Sequence, residues 1–534
     1  MPNIIPLPKK YEERYGEFII NSATTIYSDA ELEGAQSVFI QIVANACGYT
    51  LNTVVSKKAS MRFLYDRNCP KEGYRIDCDS ETMNIFASGF AGAFYAVQSL
   101  RQLLNADLMF KAKVLTMHAA EIEDEPRYPW RGIMLDESRF FFGKEFVKKL
   151  LKIMSIHKLN VFHWHLTDNV GWRIEIEKYP KLTEVGAQRK GTQHLAWGKP
   201  NAVEWVAHGG YYLKSEIREI VAFAKSLNII IVPEIDMPAH FAAAIAAYPE
   251  LSCQNKPIEP SVRHNDNKDA IACAGKDLTY RFIYDVIDEI AELFPAPYFH
   301  IGGDEANKKQ WKKCPECQKT MARYKLKNEE ELQGFFNNKI ALYLKGKGKS
   351  LIGWNEILMG GNLENSAIVQ YWTEGRDKNV DAELTEGRQL ILSKHQAFYF
   401  DMPYAWRNLK ATYEFEPEHY NLPECPIADG VLGVEATLWT EWVFTTERAE
   451  YQLFPRMEAL AEVAWTPKEK RDYQDFRQRL KKFLPILIKK GITYAPESMV
   501  DTTRARGRRI QRIFTRKDAH YEYKKAMLKS KRYR

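Results

Sequence analysis

The sequence predicts an α/β protein, a (β/α)8 TIM barrel preceded by a small α/β domain and followed by a helical C-terminal extension. Three observations lead to this prediction. Short apolar runs alternate with longer amphipathic stretches from Arg131 onward, and eight such runs can be counted, as a closed parallel barrel requires. No G-x-G-x-x-G pattern follows the first run, which disfavours an open dinucleotide-binding sheet. The chain has 534 residues, more than one hydrophobic core usually holds, so two or three domains are expected.

The first segment, residues 1–125, reads as a small α/β accessory domain. It mixes β-rich runs with one clear helix, "AGAFYAVQSLRQLL", whose apolar residues recur at helical spacing. The β-rich runs include "EFIINSATTIYSD" and "MRFLYD". The acidic, proline-containing stretch "EIEDEPRYPW" then predicts a linker.

The second segment, residues 126–465, is the predicted barrel. Its eight strands are predicted at "RGIMLD", "LNVFHWHL", "IIIVPEID", "YFHIGGDE", "SLIGWNE", "AIVQYW", "AFYFD" and "GVLGVEATLW". Helices are predicted at "GKEFVKKLLKIMSIHK", "KSEIREIVAFAKSLN", "LTYRFIYDVIDEIAELF", "NEEELQGFFNNKIALYLKGKG" and "ERAEYQLFPRMEALAEVAW". Residues 466–534 follow as a helical region with a basic tail, and their first helix is predicted at "DYQDFRQRLKKFLPILIKKG".

Charge and hydropathy exclude two classes of function. The formal charge of +7 comes from the tail, since residues 501–534 hold 13 basic and 3 acidic residues and the remainder is 63 basic against 66 acidic. Residues 1–500 therefore carry no excess of positive charge that would indicate nucleic-acid binding. We interpret the tail as a solvated extension or a basic interaction arm. No apolar run reaches the ~20 residues needed to span a bilayer. We expect a soluble, exported protein whose signal peptide is absent from this sequence.

Eight cysteines are too few for a disulfide scaffold of this length. Cys314 and Cys317 form a single C-x-x-C, which we interpret as a local thiol pair or disulfide because no second pair follows at zinc-knuckle spacing. Cys253 and Cys273 bracket a polar loop and could close it as a disulfide in an oxidising compartment.

Active sites of such barrels lie at the carboxyl ends of the strands, and polar and aromatic residues gather there. A cap or a rim ion pair explains any one of them, but not their presence at nearly every strand end. In strand order they are Asp136 and Arg139; His165, Asp168 and Trp172; Glu234, Asp236 and His240; Asp304 and Glu305; Trp354 and Glu356; Trp372; Tyr399 and Asp401; and Glu435, Trp439 and Glu441.

Tryptophans, carboxylates and one arginine together predict a sugar-binding pocket. Indole faces stack on pyranose C–H faces, while carboxylates and guanidinium form hydrogen bonds with hydroxyls. Phosphate chemistry would require more cations and a glycine-rich cradle. His163 and His165 lie at strand spacing and keep a metal site open as the lesser alternative to hydrogen-bonding groups inside the barrel.

The adjacent acids Asp304 and Glu305 suggest a particular mechanism. An ordinary retaining glycosidase holds its carboxyls ~5 to 5.5 Å apart across the glycosidic bond, and consecutive residues are poorly placed for that. A different division fits them: Glu305 protonates the leaving oxygen, while Asp304 orients a 2-acetamido group of the substrate, whose oxygen attacks the anomeric carbon.

These motifs resemble those of the β-N-acetylhexosaminidases of glycoside hydrolase family 20, which hydrolyse terminal β-linked N-acetylglucosamine or N-acetylgalactosamine by substrate-assisted retention. The resemblance spans about residues 1–465. Its motifs occur in the family's order: "RGIMLDESRFF", "HWHLTDNVGWRIEI", "VPEIDMPAHF", "HIGGDE", "GWNE", "YFDMPY" and "EATLWTE". Two departures, Phe140 after the sugar-binding arginine and Val170 before "GW", lie near the rim of the pocket and remove no catalytic group.

The resemblance implies a role for each matching residue and no metal or organic cofactor. Glu305 would be the general acid and base, with a pKa raised by burial, and Asp304 would assist the acetamido group. The substrate would be an oligosaccharide or glycoconjugate. Two alternatives stay open, a catalytically silent sugar-binding barrel and a conventional two-carboxylate β-glycosidase. Of the other residues, Tyr399 would bind the acetamido oxygen; Trp354, Trp372 and Trp439 would wall its pocket; Arg139, Asp401 and Glu441 would bind ring hydroxyls; and Asp168 and His240 would support the acid.

Overall fold

The computed structural model of the chain describes residues 2–193, 203–264, 266–373, 380, 382–383, 386–420 and 430–502. The chain forms two compact units. The first comprises Met1–Arg131, Lys152–Asn160 and Pro455–Thr493; the second comprises Gly132–Leu151, Val161–Phe454 and Tyr494–Arg534. The three-part division of the sequence into residues 1–125, 126–465 and 466–534 stays a prediction.

The first unit contains a mixed seven-stranded sheet within residues 2–124, with strand order β1-β7-β5-β6-β4-β2-β3. Its helices are Glu33–Cys47, Phe90–Leu103 and Asn105–Phe110. The predicted helix is confirmed, and its apolar residues are buried, whereas the helix Glu33–Cys47 was not predicted. The strands are β1 Lys10–Ile20, β2 Thr25–Ser28, β3 Asn52–Thr53, β4 Met61–Tyr65, β5 Tyr74–Cys78, β6 Met83–Ala87 and β7 Leu115–Asp124.

The C-terminal helix Tyr473–Lys489 also belongs to the first unit. Its residue Arg479 pairs with Glu462 and donates a hydrogen bond to the carbonyl oxygen of Ile4 (2.8 Å). Arg479 is buried, so this ion pair fixes the helix within the unit.

The second unit is built on a closed barrel of eight strands among the described residues, β8, β9, β15, β16, β17, β18, β19 and β20. Each of these pairs in parallel with the next, and β20 returns to β8. Every residue of β8 and β9 is buried, as expected for a parallel sheet covered on both faces. From Trp130 onward the strands are β8 Trp130–Asp136, β9 Val161–Asp168, β10 Gly171–Trp172, β11 Gln188–Arg189, β12 Thr192–Gln193, β13 Val203–Glu204, β14 His208–Gly209, β15 Ile230–Ile235, β16 Tyr298–His300, β17 Ser350–Trp354, β18 Ile368–Tyr371, β19 Leu390–Leu392 and β20 Val431–Leu438.

One of the eight predicted strands is wrong. The seventh barrel strand is β19 at Leu390–Leu392. The predicted "AFYFD" begins inside a helical turn, His395–Phe398, and continues beyond its end. Tyr399 makes only an isolated parallel bridge to Thr437. The segment after β19, rather than the strand itself, therefore carries Tyr399 and Asp401.

The helices that follow β8 confirm those predicted, with one difference. The long helix predicted at "ERAEYQLFPRMEALAEVAW" ends at Leu453 and restarts at Arg456, because Pro455 cannot continue it. No helix in the described part of the chain has the length and hydropathy to cross a bilayer. The helices are Lys144–Ile156, Lys181–Glu184, Lys214–Ser226, Ala242–Ala247, Asp277–Leu293, Lys309–Lys313, Pro315–Tyr324, Glu329–Gly346, His395–Phe398, Leu409–Tyr413, Thr446–Leu453, Arg456–Trp465, Tyr473–Lys489 and Glu497–Val500.

Candidate active site

Ten of the eleven predicted catalytic and sugar-binding residues meet at the carboxyl end of the barrel in two groups, and the eleventh, Asp401, lies near Tyr399. One group is a chain of charged side chains and the other a set of aromatic rings, and they meet where the Arg139 guanidinium lies 5.0 Å from the ring centre of Trp439. The charged group comprises Glu441, Arg139, Asp168, His240, Asp304 and Glu305. The aromatic group comprises Trp354, Trp439, Tyr399 and Trp372.

A two-glycine turn after β16 places the adjacent acids. Gly302 and Gly303 have φ values of 68° and 92°, which residues with a Cβ atom rarely adopt. The site also has no room for a side chain, because a Cβ atom on Gly302 would lie 1.9 Å from the Asp236 carboxylate. The turn leaves Asp304 buried, while the Glu305 side chain is 63% exposed. Consecutive carboxylates thereby occupy different environments.

Asp304 is a buried acceptor. Its Oδ1 atom has no hydrogen-bond partner within the described part of the chain. Burial raises the pKa of Asp304 to about 7; the carboxylates of Glu356 and Glu305 add to the rise, and the charge of His240 opposes it. A ligand N–H that reached Oδ1 would satisfy this atom and favour its charged form.

The raised pKa predicted for Glu305 is wrong for this structure. The side-chain interaction with His240, whose Nε2 lies 3.5 Å from Glu305 Oε2, lowers the pKa of Glu305 despite partial desolvation. The sequence indicated burial between tryptophans, whereas the carboxyl is largely open to solvent. A sugar covering it would remove that water and raise the pKa.

His240 joins the two acids to Asp168. Its Nδ1 lies 3.2 Å from Asp168 Oδ2, and its Nε2 lies 3.5 Å from both Asp304 Oδ2 and Glu305 Oε2. Burial alone would lower the pKa of His240, but the charges of Asp168, Asp236 and Asp304 raise it well above its usual value. The surrounding carboxylates therefore favour the protonated form of the imidazole.

Asp168 is in turn held by Arg139, whose Nη2 lies 2.8 Å from Asp168 Oδ2. Burial would raise the pKa of Asp168, but Arg139 and His240 lower it well below its usual range. Arg139 Nη2 also lies 3.6 Å from Glu441 Oε1. Arg139 Nε and Glu441 Oε2 are buried without hydrogen-bond partners among the described residues, which leaves a donor and an acceptor for a ligand hydroxyl.

The aromatic rings form one continuous wall. The centres of Trp354 and Trp439 are 5.7 Å apart, and Tyr399 lies 6.4 Å from Trp439 and stacks on Trp372 at 5.9 Å. The indole N–H groups are held by carboxylates, since Trp354 donates to Glu234 and Trp372 to Glu356, each at 3.0 Å. Burial, together with the nearby Asp401, raises the pKa of Tyr399 and keeps its hydroxyl protonated.

His163 and His165 act as hydrogen-bonding groups inside the barrel. Glu435 lies 2.7 Å from His163 Nδ1, and Glu234 lies 3.1 Å from its Nε2. His165 likewise contacts Glu234 and Asp168. Burial would lower the pKa of His163, but the two carboxylates raise it to about 9. These contacts are those expected of hydrogen-bonding groups inside the barrel.

Two supporting residues were missed in the sequence. His300 lies 3.0 Å from Glu234 Oε1 and accepts from the backbone N–H of Gly302. Gln333 donates to the carbonyl oxygen of Gly303 at 2.7 Å. Each is a buried polar residue within an otherwise apolar strand or helix face, and that irregularity was the available signal.

The two sequence departures lie beside this site. Phe140 is buried, with its ring centre 5.0 Å from that of His208 and 5.2 Å from that of Phe444. Val170 is also buried. Neither residue takes part in the ion pairs described above.

Most of the chain resembles proteins of one enzyme family. A sequence model described as "Glycosyl hydrolase family 20, catalytic domain" matches residues 128–468, and one described as "Glycosyl hydrolase family 20, domain 2" matches residues 1–125. A β-hexosaminidase of Porphyromonas gingivalis is 40% identical over 518 residues, covering 92% of this chain and 64% of the relative. The chain thus spans less than two thirds of that protein. A β-hexosaminidase of Vibrio furnissii is 33% identical over 479 residues, covering 86% and 76%.

Solved structures agree with these matches. A Vibrio harveyi exo β-N-acetylglucosaminidase in complex with N-acetylglucosamine superposes with a TM-score of 0.83 at 31% identity, covering 93% of this chain and 78% of that chain. A mutant Streptomyces plicatus β-hexosaminidase in complex with its product gives 0.80 at 31% identity, covering 94% and 98%. The predicted fold and the resemblance stated from the motifs are both confirmed. The chain belongs to glycosyl hydrolase family 20.

Proposed function

We propose that the chain is an exo-acting β-N-acetylhexosaminidase that removes terminal non-reducing β-linked N-acetylglucosamine or N-acetylgalactosamine from an oligosaccharide or glycoconjugate. The observation that carries the proposal is the division between Asp304 and Glu305. One carboxylate is buried with an unpartnered oxygen, and its neighbour is open to solvent. This division suits a site in which one carboxylate accepts a hydrogen bond from a substrate amide and the other protonates the leaving oxygen.

The reaction then runs in two steps with retention. The acetamido oxygen of the substrate attacks the anomeric carbon as Glu305 gives its proton to the departing glycosidic oxygen, and an oxazolinium ion forms. Asp304 accepts the amide N–H and stabilises the positive charge. Glu305, now a carboxylate, takes a proton from a water molecule. The oxygen of that water attacks the anomeric carbon and opens the oxazolinium ring, which restores the acetamido group.

The remaining residues bind or position the sugar. Tyr399 donates to the acetamido oxygen, and the wall of Trp354, Trp439 and Trp372 encloses the methyl group. Arg139, Glu441 and Asp401 bind ring hydroxyls. Asp168 and His240 are positioning residues, since they act on the substrate through Glu305 and Asp304. Export of the protein stays a prediction.

A paired assay tests this function. The purified chain is given an aryl β-N-acetylglucosaminide and the matching aryl β-glucoside, which differ only at the 2-position. We expect turnover of the first and near-complete loss with the second. Equal turnover of both would favour a conventional two-carboxylate β-glycosidase. Tight binding without turnover would favour a silent sugar-binding barrel.

A further inference from the structure

Four cysteines of the second unit converge on one point. The sulfur atoms of Cys253, Cys273, Cys314 and Cys317 all lie within 4.8 Å of one another. The sequence suggested two separate thiol pairs, with Cys253 joined to Cys273. In the structure all four cysteines are free thiols in a single cluster, although 64 positions separate the first from the last.

The distances fit a tetrahedral metal site. With Zn–S bonds of about 2.3 Å, the sulfurs of a tetrahedral tetrathiolate lie roughly 3.8 Å apart. Here Cys253 and Cys317 are separated by 3.8 Å, Cys273 and Cys314 by 3.7 Å, and Cys273 and Cys317 by 3.6 Å. Three of these cysteines are buried, so their sulfurs have little access to water.

The backbone around the cluster is shaped to bring the sulfurs together. Cys314 caps the helix Pro315–Tyr324, and Cys317 lies in its first turn, so both point to the same end of the helix. Gly275 packs against that turn: a Cβ there would lie 2.2 Å from the carbonyl carbon of Glu316. The backbone N–H of Gly275 also hydrogen-bonds to Cys273. Such N–H donors orient and stabilise thiolate ligands.

A positive charge is fixed in the same loop. Lys276 Nζ donates to the carbonyl oxygens of Glu250 (2.9 Å) and Ser252 (2.5 Å), the residue before Cys253. Four thiolates around a divalent cation carry a net charge of about −2, which a nearby ammonium group partly offsets.

We propose that Cys253, Cys273, Cys314 and Cys317 bind one structural Zn²⁺ ion as a tetrathiolate. Zinc fits this donor set because it accepts four thiolates in tetrahedral geometry. All four positions are filled by protein, so the ion takes no part in sugar hydrolysis.

The site ties together the two loops that carry the acids and their histidine partner. Cys253 and Cys273 lie in the segment after β15, which contains His240, and Cys314 and Cys317 follow Glu305 in the segment after β16. The backbone N–H of Ala272 donates a hydrogen bond to the carbonyl oxygen of Pro238 (2.9 Å). The indole N–H of Trp311 donates to the carbonyl oxygen of Ala272 (2.9 Å). Zinc thus positions His240 relative to Glu305.

Metal content tests the site independently of the hydrolytic activity. The full chain is prepared under reducing conditions and analysed by elemental mass spectrometry, and we expect about one zinc per chain. Replacing the zinc with cobalt should produce a thiolate-to-cobalt charge-transfer band. Cys253→Ser should lose both signals, whereas Cys69→Ser, a free and similarly half-buried cysteine of the first unit, should keep both.

A measurement on the wild-type chain tests the site even if Cys253→Ser fails to fold. Its four thiols should resist alkylation until a chelator is added, and alkylation should then release zinc in proportion. Peptide mapping that finds disulfides among these cysteines would overturn the proposal. So would iron in place of zinc, or a folded, zinc-free chain with an unchanged melting temperature.

Discussion

At the scale of single residues, the exposed carboxyl of Glu305 gives a leaving-group prediction. Glu305→Gln removes the proton donor, so hydrolysis should fall by about 10²–10⁴-fold for substrates with poor leaving groups. Substrates whose leaving groups need little protonation should be affected far less. Rates across a series of aryl N-acetylglucosaminides of graded leaving-group pKa measure this difference. Equal losses across the series would contradict the acid role.

Replacing Asp304 with asparagine should lower activity but raise the stability of the folded chain. Its folded pKa of about 7 lies above the unfolded value of about 3.9, so the folded state holds a proton that the unfolded state has lost between these pH values. The carboxylate therefore costs stability, and the cost grows as pH rises towards 7. Asp304→Asn should raise the melting temperature more at pH 8 than at pH 5, while lowering activity by about 10²–10³-fold.

The neighbouring acid is the control for that measurement. His240 lowers the pKa of Glu305, so its carboxylate form favours folding above the unfolded pKa, and that contribution is lost as pH falls. Glu305→Gln should therefore show a smaller pH-dependent gain in melting temperature than Asp304→Asn, because it removes only the part of the Asp304 pKa rise that Glu305 contributes. A gain of the same size in both variants would mean that burial of Asp304 is not the cause.

At the scale of elements, the turn after β16 should be intolerant of a side chain. Gly302→Ala needs both a positive φ and space that Asp236 occupies, so we expect lower stability and nearly complete loss of activity. Gly348→Ala is the matched control, because Gly348 has a φ of 72° with no atom within 4 Å of its Cβ position. The control should cost only about 1–2 kcal/mol of backbone strain and leave activity intact.

Denaturant unfolding and steady-state rates separate the two effects in these variants. If Gly302→Ala kept normal activity, the turn would not be what positions Asp304 and Glu305. If both variants lost activity equally, backbone strain alone would explain the result.

Most elements could be predicted because their patterns are periodic, and the exceptions have local causes. β19 is a three-residue apolar run, too short to distinguish from a helix segment, while the three consecutive aromatic residues of "AFYFD" are typical of a buried strand. The candidate site residues could be proposed from the sequence because the barrel fold dictates where strand ends lie. The environment of Glu305 could not be predicted, since its exposure depends on the backbone turn and its pKa on His240, 65 positions earlier in the chain.

The cysteine cluster shows the same limit. Cys253 and Cys273 are linked to Cys314 and Cys317 only through the packing of two loops, which no local spacing encodes. The sequence therefore suggested pairs where the fold assembles four sulfurs.

At the scale of the whole molecule, the central claim is that the substrate supplies the nucleophile. Successive fluorine atoms on the N-acetyl group of an aryl β-N-acetylglucosaminide weaken the amide oxygen as a nucleophile while changing the size of the substrate little. The most direct measurement is kcat/KM across the acetyl, monofluoro-, difluoro- and trifluoroacetyl substrates. A steep, progressive fall with each fluorine is the result we predict. Rates that stay level across the series would contradict the account, because a nucleophile on the protein would then have to form the intermediate.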